Sequence, residues 1–172
     1  MNRRMVLYVV GTVIKIEAVF MLLPLITSVI YKESCVVDFL ISIGIALICG
    51  FALTLLSRPG SKVIYAKEGF VIVSLAWLAL SVIGALPFYI SREIPSYIDA
   101  FFETASGFTT TGASILTDIE AMSKGLLFWR SFTHWVGGMG LLVFVLAIVP
   151  TVSDRSIHIL SAEAPGPIVG KI

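Results

Sequence analysis

Four apolar runs, each about as long as the 18–20 helical residues that the hydrocarbon core of a bilayer requires, alternate with short polar joints along the chain. They cover approximately residues 5–30, 36–56, 69–90 and 125–150. Each predicts a transmembrane helix. The first is interrupted by Lys15, Glu17 and Pro24, so it is not a plain lipid-facing span. Charges inside a span face protein or water. Lys15 and Glu17, two residues apart, point to roughly opposite faces and are expected to contact neighbouring helices, of this chain or beyond it, rather than each other. Short joints, "YKES" and "SRPGSKVIYAKE", follow the first two spans, whereas 91–124 is longer and only moderately apolar.

Within that longer stretch, "PSYIDAFFETASG" has Ser96 followed three residues later by Asp99, a capping-box spacing, just after Pro95. Tyr97, Ile98, Phe101, Phe102 and Ala105 then recur at helical spacing. A helix of about ten residues would be roughly 15 Å long, half the hydrocarbon thickness. It is too short to cross and too apolar to float in water, which predicts a re-entrant helix that stops near Ser106–Gly107.

"FTTTGAS" follows, and two readings stand for it. One is an ordinary extracellular loop with a polar turn. The other is unwound backbone at membrane depth, which is tolerated only where it is buried in protein or lines a watery cavity. There, carbonyl oxygens replace the hydration water of an ion. The three threonines are β-branched and favour extended conformations, and Gly112 can take positive φ. The C-terminal end of the short helix is partially negative and favours a cation over an anion.

Composition narrows the class. Hydrophobic residues make up 58% of the 172-residue chain and mean hydropathy is +1.00, against roughly 45–50% apolar residues in soluble domains. The fold class expected is all-α integral membrane, with four transmembrane helices plus one re-entrant pore helix and filter loop. A net charge of +1 without a basic cluster excludes nucleic acid as a partner. Cys35 and Cys49 form no metal-binding or redox spacing and read as free, buried thiols. The N-terminus begins like a signal peptide, but its apolar run continues past Ile30, so a retained span is expected. Arg3, Arg4, Arg58, Lys62, Lys67, Arg155 and Lys171 flank one side of the spans, against Lys32, Arg92 and Lys124 on the other. The positive-inside bias predicts that both termini and "SRPGSK" are cytoplasmic and 91–124 external.

Further residues invite roles. Glu103 lies one turn before the polar stretch and reads as an outer-vestibule or filter-bracing group, or as a simply solvated one. Thr133–Gly137, Ala46–Gly50 and Ser81–Ala85 are small-xxx-small pairs that favour close helix packing. Gly137 and Gly138 sit near mid-span, where a bend would serve gating. Arg130 is expected to reach the interface, with His134 deeper on the same face as a buried hydrogen-bond partner or a proton relay. Trp129 and Trp135 read as interface and packing aromatics. An intramembrane enzyme would have to use Ser131 with His134, and no orienting carboxylate accompanies them. No enzyme, no cofactor and no resident metal are expected.

"FFETASGFTTTGAS", "FWRSFTHWVGGMGLLVFVLAIVP", "AEAPGP" and "GALPF" together resemble the TrkH branch of the TrkH/KtrB/HKT superfamily of potassium transporters, over essentially the whole chain. TTTG followed at this distance by HWxGGxG is the specific part. The resemblance implies four membrane–pore–membrane repeats arranged pseudo-fourfold around an ion path. One filter wall would be the backbone carbonyls of Thr109, Thr110, Thr111 and Gly112, facing potassium as the transported ion. It implies an N-terminal helix pair in 1–66, the first repeat in 67–150, and a cytoplasmic segment in 151–172 leading to a second repeat. It also implies a bacterial-type cell membrane and a cytoplasmic nucleotide-binding regulatory subunit. One wall does not make a filter, so the chain is expected to be a fragment or one piece of an assembly. The remaining repeats, or other copies of the chain, would then be its partners. The alternative is a non-conducting truncated protein that acts only through helix packing.

Overall fold

The computed structural model describes residues 3–57 and 66–148, and for 66–67 and 141–148 the helix backbone alone. The order of elements is α1 (Arg3–Phe20), α2 (Leu22–Ile30), α3 (Val36–Leu56), α4 (Ala66–Gly84), α5 (Leu86–Ile90), α6 (Tyr97–Phe108) and α7 (Lys124–Ile148). The first apolar run is thus two helices, parted at Met21. Pro24 has no N–H to offer the carbonyl of Phe20, where α1 stops. The third run is parted in the same way at Ala85, with Pro87 in the first turn of α5.

Among the described residues three segments, Arg3–Ile30, Val36–Leu56 and Glu68–Ile90, are long and apolar enough to cross a membrane. The fourth predicted span falls on α7, whose 25 residues run to Ile148. "SRPGSK", Pro150 and 151–172 lie outside the described residues. The molecule is an all-α, membrane-spanning bundle. Residues 1–137 form one compact unit, and of the second, 138–172, only the continuation of α7 is described.

α1 is the hub of the first unit, packing against both α3 and α4, while α6 lies on α4 and α5. Its buried stripe of Val10, Ile14 and Ala18 joins Phe39, Ile43 and Ala46 of α3 in one apolar core. The two helices nearly touch at Gly11 and Gly50, where a Cβ on Gly50 would stand 2.9 Å from the Gly11 carbonyl oxygen. On the outward face Ile48, Leu55 and Leu56 are exposed, as side chains that meet lipid should be. The small-xxx-small pairs are used as read: Ala46, Ser81, Ala85 and Thr133 are all buried.

The two intramembrane charges do meet neighbouring helices, and those helices belong to this chain. The Lys15 ammonium lies 3.4 Å from Thr54 Oγ1 and 5.1 Å from the centre of the Phe51 ring, both on α3 of this chain. Glu17 is 1% exposed inside the same bundle. Neither needs a missing helix to enclose it, because α1 is covered on both sides by α3 and α4.

Candidate functional site

α6 begins as its cap predicts, with the Asp99 N–H donating to Ser96 Oγ at 3.4 Å. It ends later than its sequence suggests. Ser106, Gly107 and Phe108 are helical, so the non-helical stretch starts at Thr109 rather than at Ser106. Twelve residues make a helix roughly 18 Å long.

The end is closed by a paired cap: the Thr110 N–H donates to Gly107 O at 2.9 Å and the Thr111 N–H to Ser106 O at 3.0 Å. That pattern needs a left-handed residue in its turn, usually glycine. Here it is Thr110, at φ +56°. The threonines are therefore not uniformly extended, because closing the helix takes precedence over β-branched preference. Holding a β-branched residue there costs of order 1 kcal/mol or more. Gly112, at φ +76°, supplies the second left-handed position, as its sequence suggested.

Beyond the cap, Thr109, Thr110, Thr111 and Gly112 are exposed. Thr109 Oγ1 bonds back to Ala105 O at 2.7 Å and meets Thr111 Oγ1 at 2.8 Å. Among the described residues, no donor reaches the carbonyl oxygens of these four residues. Four adjacent backbone acceptors are thus left open.

The loop that carries them is pinned on both sides. Ser106 Oγ donates to Ala113 O at 2.6 Å. Glu103, fully enclosed, accepts from Ser114 Oγ at 3.0 Å, from the Ile115 N–H at 3.2 Å and from Arg130 Nε at 2.5 Å. One carboxylate therefore ties α6, the far side of the loop and α7. Arg130 turns inward, its side chain only 13% exposed, instead of reaching the interface. A buried carboxylate offers it a better partner than distant headgroups.

α7 presses directly on the end of α6. A Cβ on Gly107 would overlap Thr133 Oγ1, and one on Gly137 would overlap the backbone carbonyl of Phe108. The Phe108 ring lies between Trp77 and Trp129, and Trp129 Nε1 donates to Gly84 O at 2.9 Å. His134 Nδ1 is 2.9 Å from Arg130 O, the hydrogen-bond role expected of it, with the ring half-buried rather than buried. Gly138 follows Gly137 in continuous helix. Trp129 is buried and Trp135 exposed. Both cysteines are free, with Cys35 buried but Cys49 only half-buried.

The first two N–H groups of α7 are capped from afar: the Lys124 and Gly125 N–H groups donate to the two Glu33 carboxylate oxygens at 2.6 and 3.0 Å. Beside them the Ser123 N–H and hydroxyl donate to Glu93. Arg130, Ser114, Glu33 and Glu93 were missed as site residues. For Arg130 the signal existed, since a cation inside a span implies an internal partner. Among the described residues no group of three or more His, Cys, Asp or Glu side chains is placed to hold a metal ion.

The architecture is that of a multi-pass integral membrane protein whose short helix ends in a braced, acceptor-rich loop. The chain belongs to the TrkH family, described as cation transport protein, whose pattern matches residues 37–172. It is 34% identical over 169 residues to the Trk system potassium uptake protein TrkH of Vibrio parahaemolyticus, covering 98% of this chain and 35% of that protein. It is 41% identical over 159 residues to an uncharacterized cation transporter of Methanocaldococcus jannaschii, covering 92% and 33%. The crystal structure of the potassium transporter TrkH from Vibrio parahaemolyticus superposes with a TM-score of 0.81 at 33% identity, over 94% of this chain and 36% of that one. The chain spans about a third of the length of the curated relatives it matches. Membership in a transport family sets aside the intramembrane-enzyme reading, and Ser131 Oγ is in any case bonded to Leu127 O at 3.0 Å.

Proposed function

We propose that this chain supplies the N-terminal part of a potassium-permeation subunit, with α6 as a re-entrant pore helix and Thr109–Gly112 as one wall of the ion path. The observation that carries this reading is the set of four open carbonyls on an exposed loop pinned by Glu103 and Ser106. Carbonyls held in place replace an ion's hydration shell without reorganising as it enters. The C-terminal end of α6 adds a partially negative potential behind them.

The remaining walls come from further repeats or other copies, set against the exposed face of the loop. α1 to α3 serve as a helix pair bracing the first repeat, which begins near residue 67. Both termini and "SRPGSK" face the cytoplasm, where a nucleotide-binding regulatory subunit docks. The membrane is a bacterial-type cell membrane. Glu103 supports the filter, and Gly137 and Gly138 give α7 the close seat and the freedom that gating uses.

The test is a chimera in which this chain replaces the matching first third of the Vibrio parahaemolyticus protein. It is expressed in cells lacking their own potassium uptake. The chimera should restore growth at low potassium and take up radioactive rubidium, while the chain alone should restore neither. A chimera that folds and inserts but conducts nothing would favour the helix-packing alternative. Growth on the chain alone would point to a self-assembled ring of copies.

A further inference from the structure

Glu17 is the one buried side chain among the described residues whose polar atoms find no hydrogen-bond partner, and both of its carboxylate oxygens are orphaned. It stands on α1 at the junction with the broken end of α4 and the last turn of α6. A Cβ on Gly84 would lie 2.8 Å from Glu17 Oε1, 2.8 Å from Thr104 Cγ2 and 3.1 Å from Phe108 Cε2. The carboxyl therefore sits against Gly84, beside the methyl of Thr104 and the ring of Phe108, directly behind the loop proposed to line the ion path.

The donors nearby are spent. Thr104 Oγ1 donates to Ala100 O at 2.8 Å, and Trp129 Nε1 to Gly84 O. A buried water needs about two to four polar partners, and a bare cation needs more oxygens than one carboxyl supplies. Among the described residues no counter-charge faces it from any packed element. On α1, Lys15 is turned to Thr54 and Phe51. On α3, Asp38 lies in the first turn, about two turns from the Ala46–Gly50 stretch. On α4, Glu68 lies in the first turn, at the opposite end from Gly84. On α6, Asp99 lies in the first turn and Glu103 is held by Arg130, and on α7 His134 is held by the Arg130 carbonyl. α2 and α5 carry no charged residue. The smallest ligand, a proton, is the one that fits, since an uncompensated carboxylate in such surroundings is prohibitively costly.

We propose that Glu17 is a proton-binding site whose occupancy sets how firmly α1 and α4 seat the end of α6. With the proton bound, the joint stays dry and closed. Losing it draws water to the carboxylate, loosens the packing of Thr104 and Phe108, and frees the loop that follows. The link to ion flow rests on the function proposed above, but the site itself does not.

The experiment uses the chain in lipid nanodiscs, so conduction is not required. Difference infrared spectra compare wild type with Glu17→Gln and with Glu17→Met, an apolar variant of similar length. A protonated-carboxylic-acid carbonyl band should be present at neutral pH, vanish in both variants and fade as pH rises. In a background with Cys35 and Cys49 replaced by serine, labelling of Thr104→Cys, buried at the joint, by a membrane-impermeant thiol reagent is measured against an Asp118→Cys control. The ratio should rise several-fold with pH in the presence of Glu17 and stay flat with Glu17→Gln. A spectrum unchanged by both substitutions would overturn the proton site. A band that behaves as expected beside a labelling ratio that ignores Glu17 would overturn the coupling. A silent chimera with both results positive would sink the conduction reading and leave the site standing.

Discussion

Replacing Glu103 with glutamine removes the negative charge from the knot that holds the loop. Arg130 Nε sits 2.5 Å from that carboxylate, with side-chain exposures of 13% and 0%. Breaking a buried pair by deleting one partner costs about 3–5 kcal/mol, because the other charge is left uncompensated. The Ser114 hydroxyl and Ile115 N–H at 3.0 and 3.2 Å keep an amide oxygen to donate to, so each falls from about 1.5–3 to about 0.5–1.5 kcal/mol rather than to zero. The total should therefore come mainly from the arginine. Reversible unfolding by detergent titration of Glu103→Gln, Arg130→Met and the double variant measures it directly. Both single variants should lose about 3 kcal/mol or more, and the double variant far less than their sum. A coupling below about 0.5 kcal/mol, the ordinary scatter for independent sites, would refute the claim that this pair braces the loop. The chimera carrying Glu103→Gln should also discriminate less well between potassium and sodium.

Gly137→Ala should cost about 1–3 kcal/mol by overpacking, since the added methyl meets the Phe108 backbone rather than a yielding side chain; the same titration reads it. Thr110→Gly should stabilise the chain by about 1 kcal/mol by relieving the left-handed β-branched residue, and a loss instead would deny the strain. Glu33→Ala strips the cap from α7 and should cost about 1–2 kcal/mol, with faster hydrogen exchange at the Lys124 and Gly125 amides. Burial, and secondarily the neighbouring Glu33 carboxylate, pushes the Cys35 thiol up. It should stay protonated at neutral pH and react with iodoacetamide only as pH rises well above that of an ordinary thiol, measured with Cys49→Ser.

Much of the site was legible because it rests on local signals. Ser96 with Asp99 marks the start of α6, and Gly112 marks a left-handed position, since both follow from short-range backbone chemistry. The last turn of α6 was misjudged because a polar, glycine-containing segment reads as a helix end, whereas packing of Gly107 on Thr133 and of Phe108 between two tryptophans keeps it helical. Arg130 was misassigned for a related reason. Its spacing alone cannot reveal a carboxylate 27 residues away that folding brings to it.

The sequence by itself determined the class of protein, because membrane solvation is a strong and nearly one-dimensional constraint. Apolar runs of bilayer length have few alternatives to spanning helices. It also determined which glycine takes a left-handed turn, whereas the breaks at Met21 and Ala85 fall inside runs that read as single spans. Only the tertiary structure decided that Thr110 shares that geometry, that Glu103 gathers Arg130, Ser114 and Ile115, and that Glu17 lies partnerless behind α6. Those outcomes depend on contacts between residues far apart in the chain, where burial and hydrogen bonding are set by neighbours that no local pattern names.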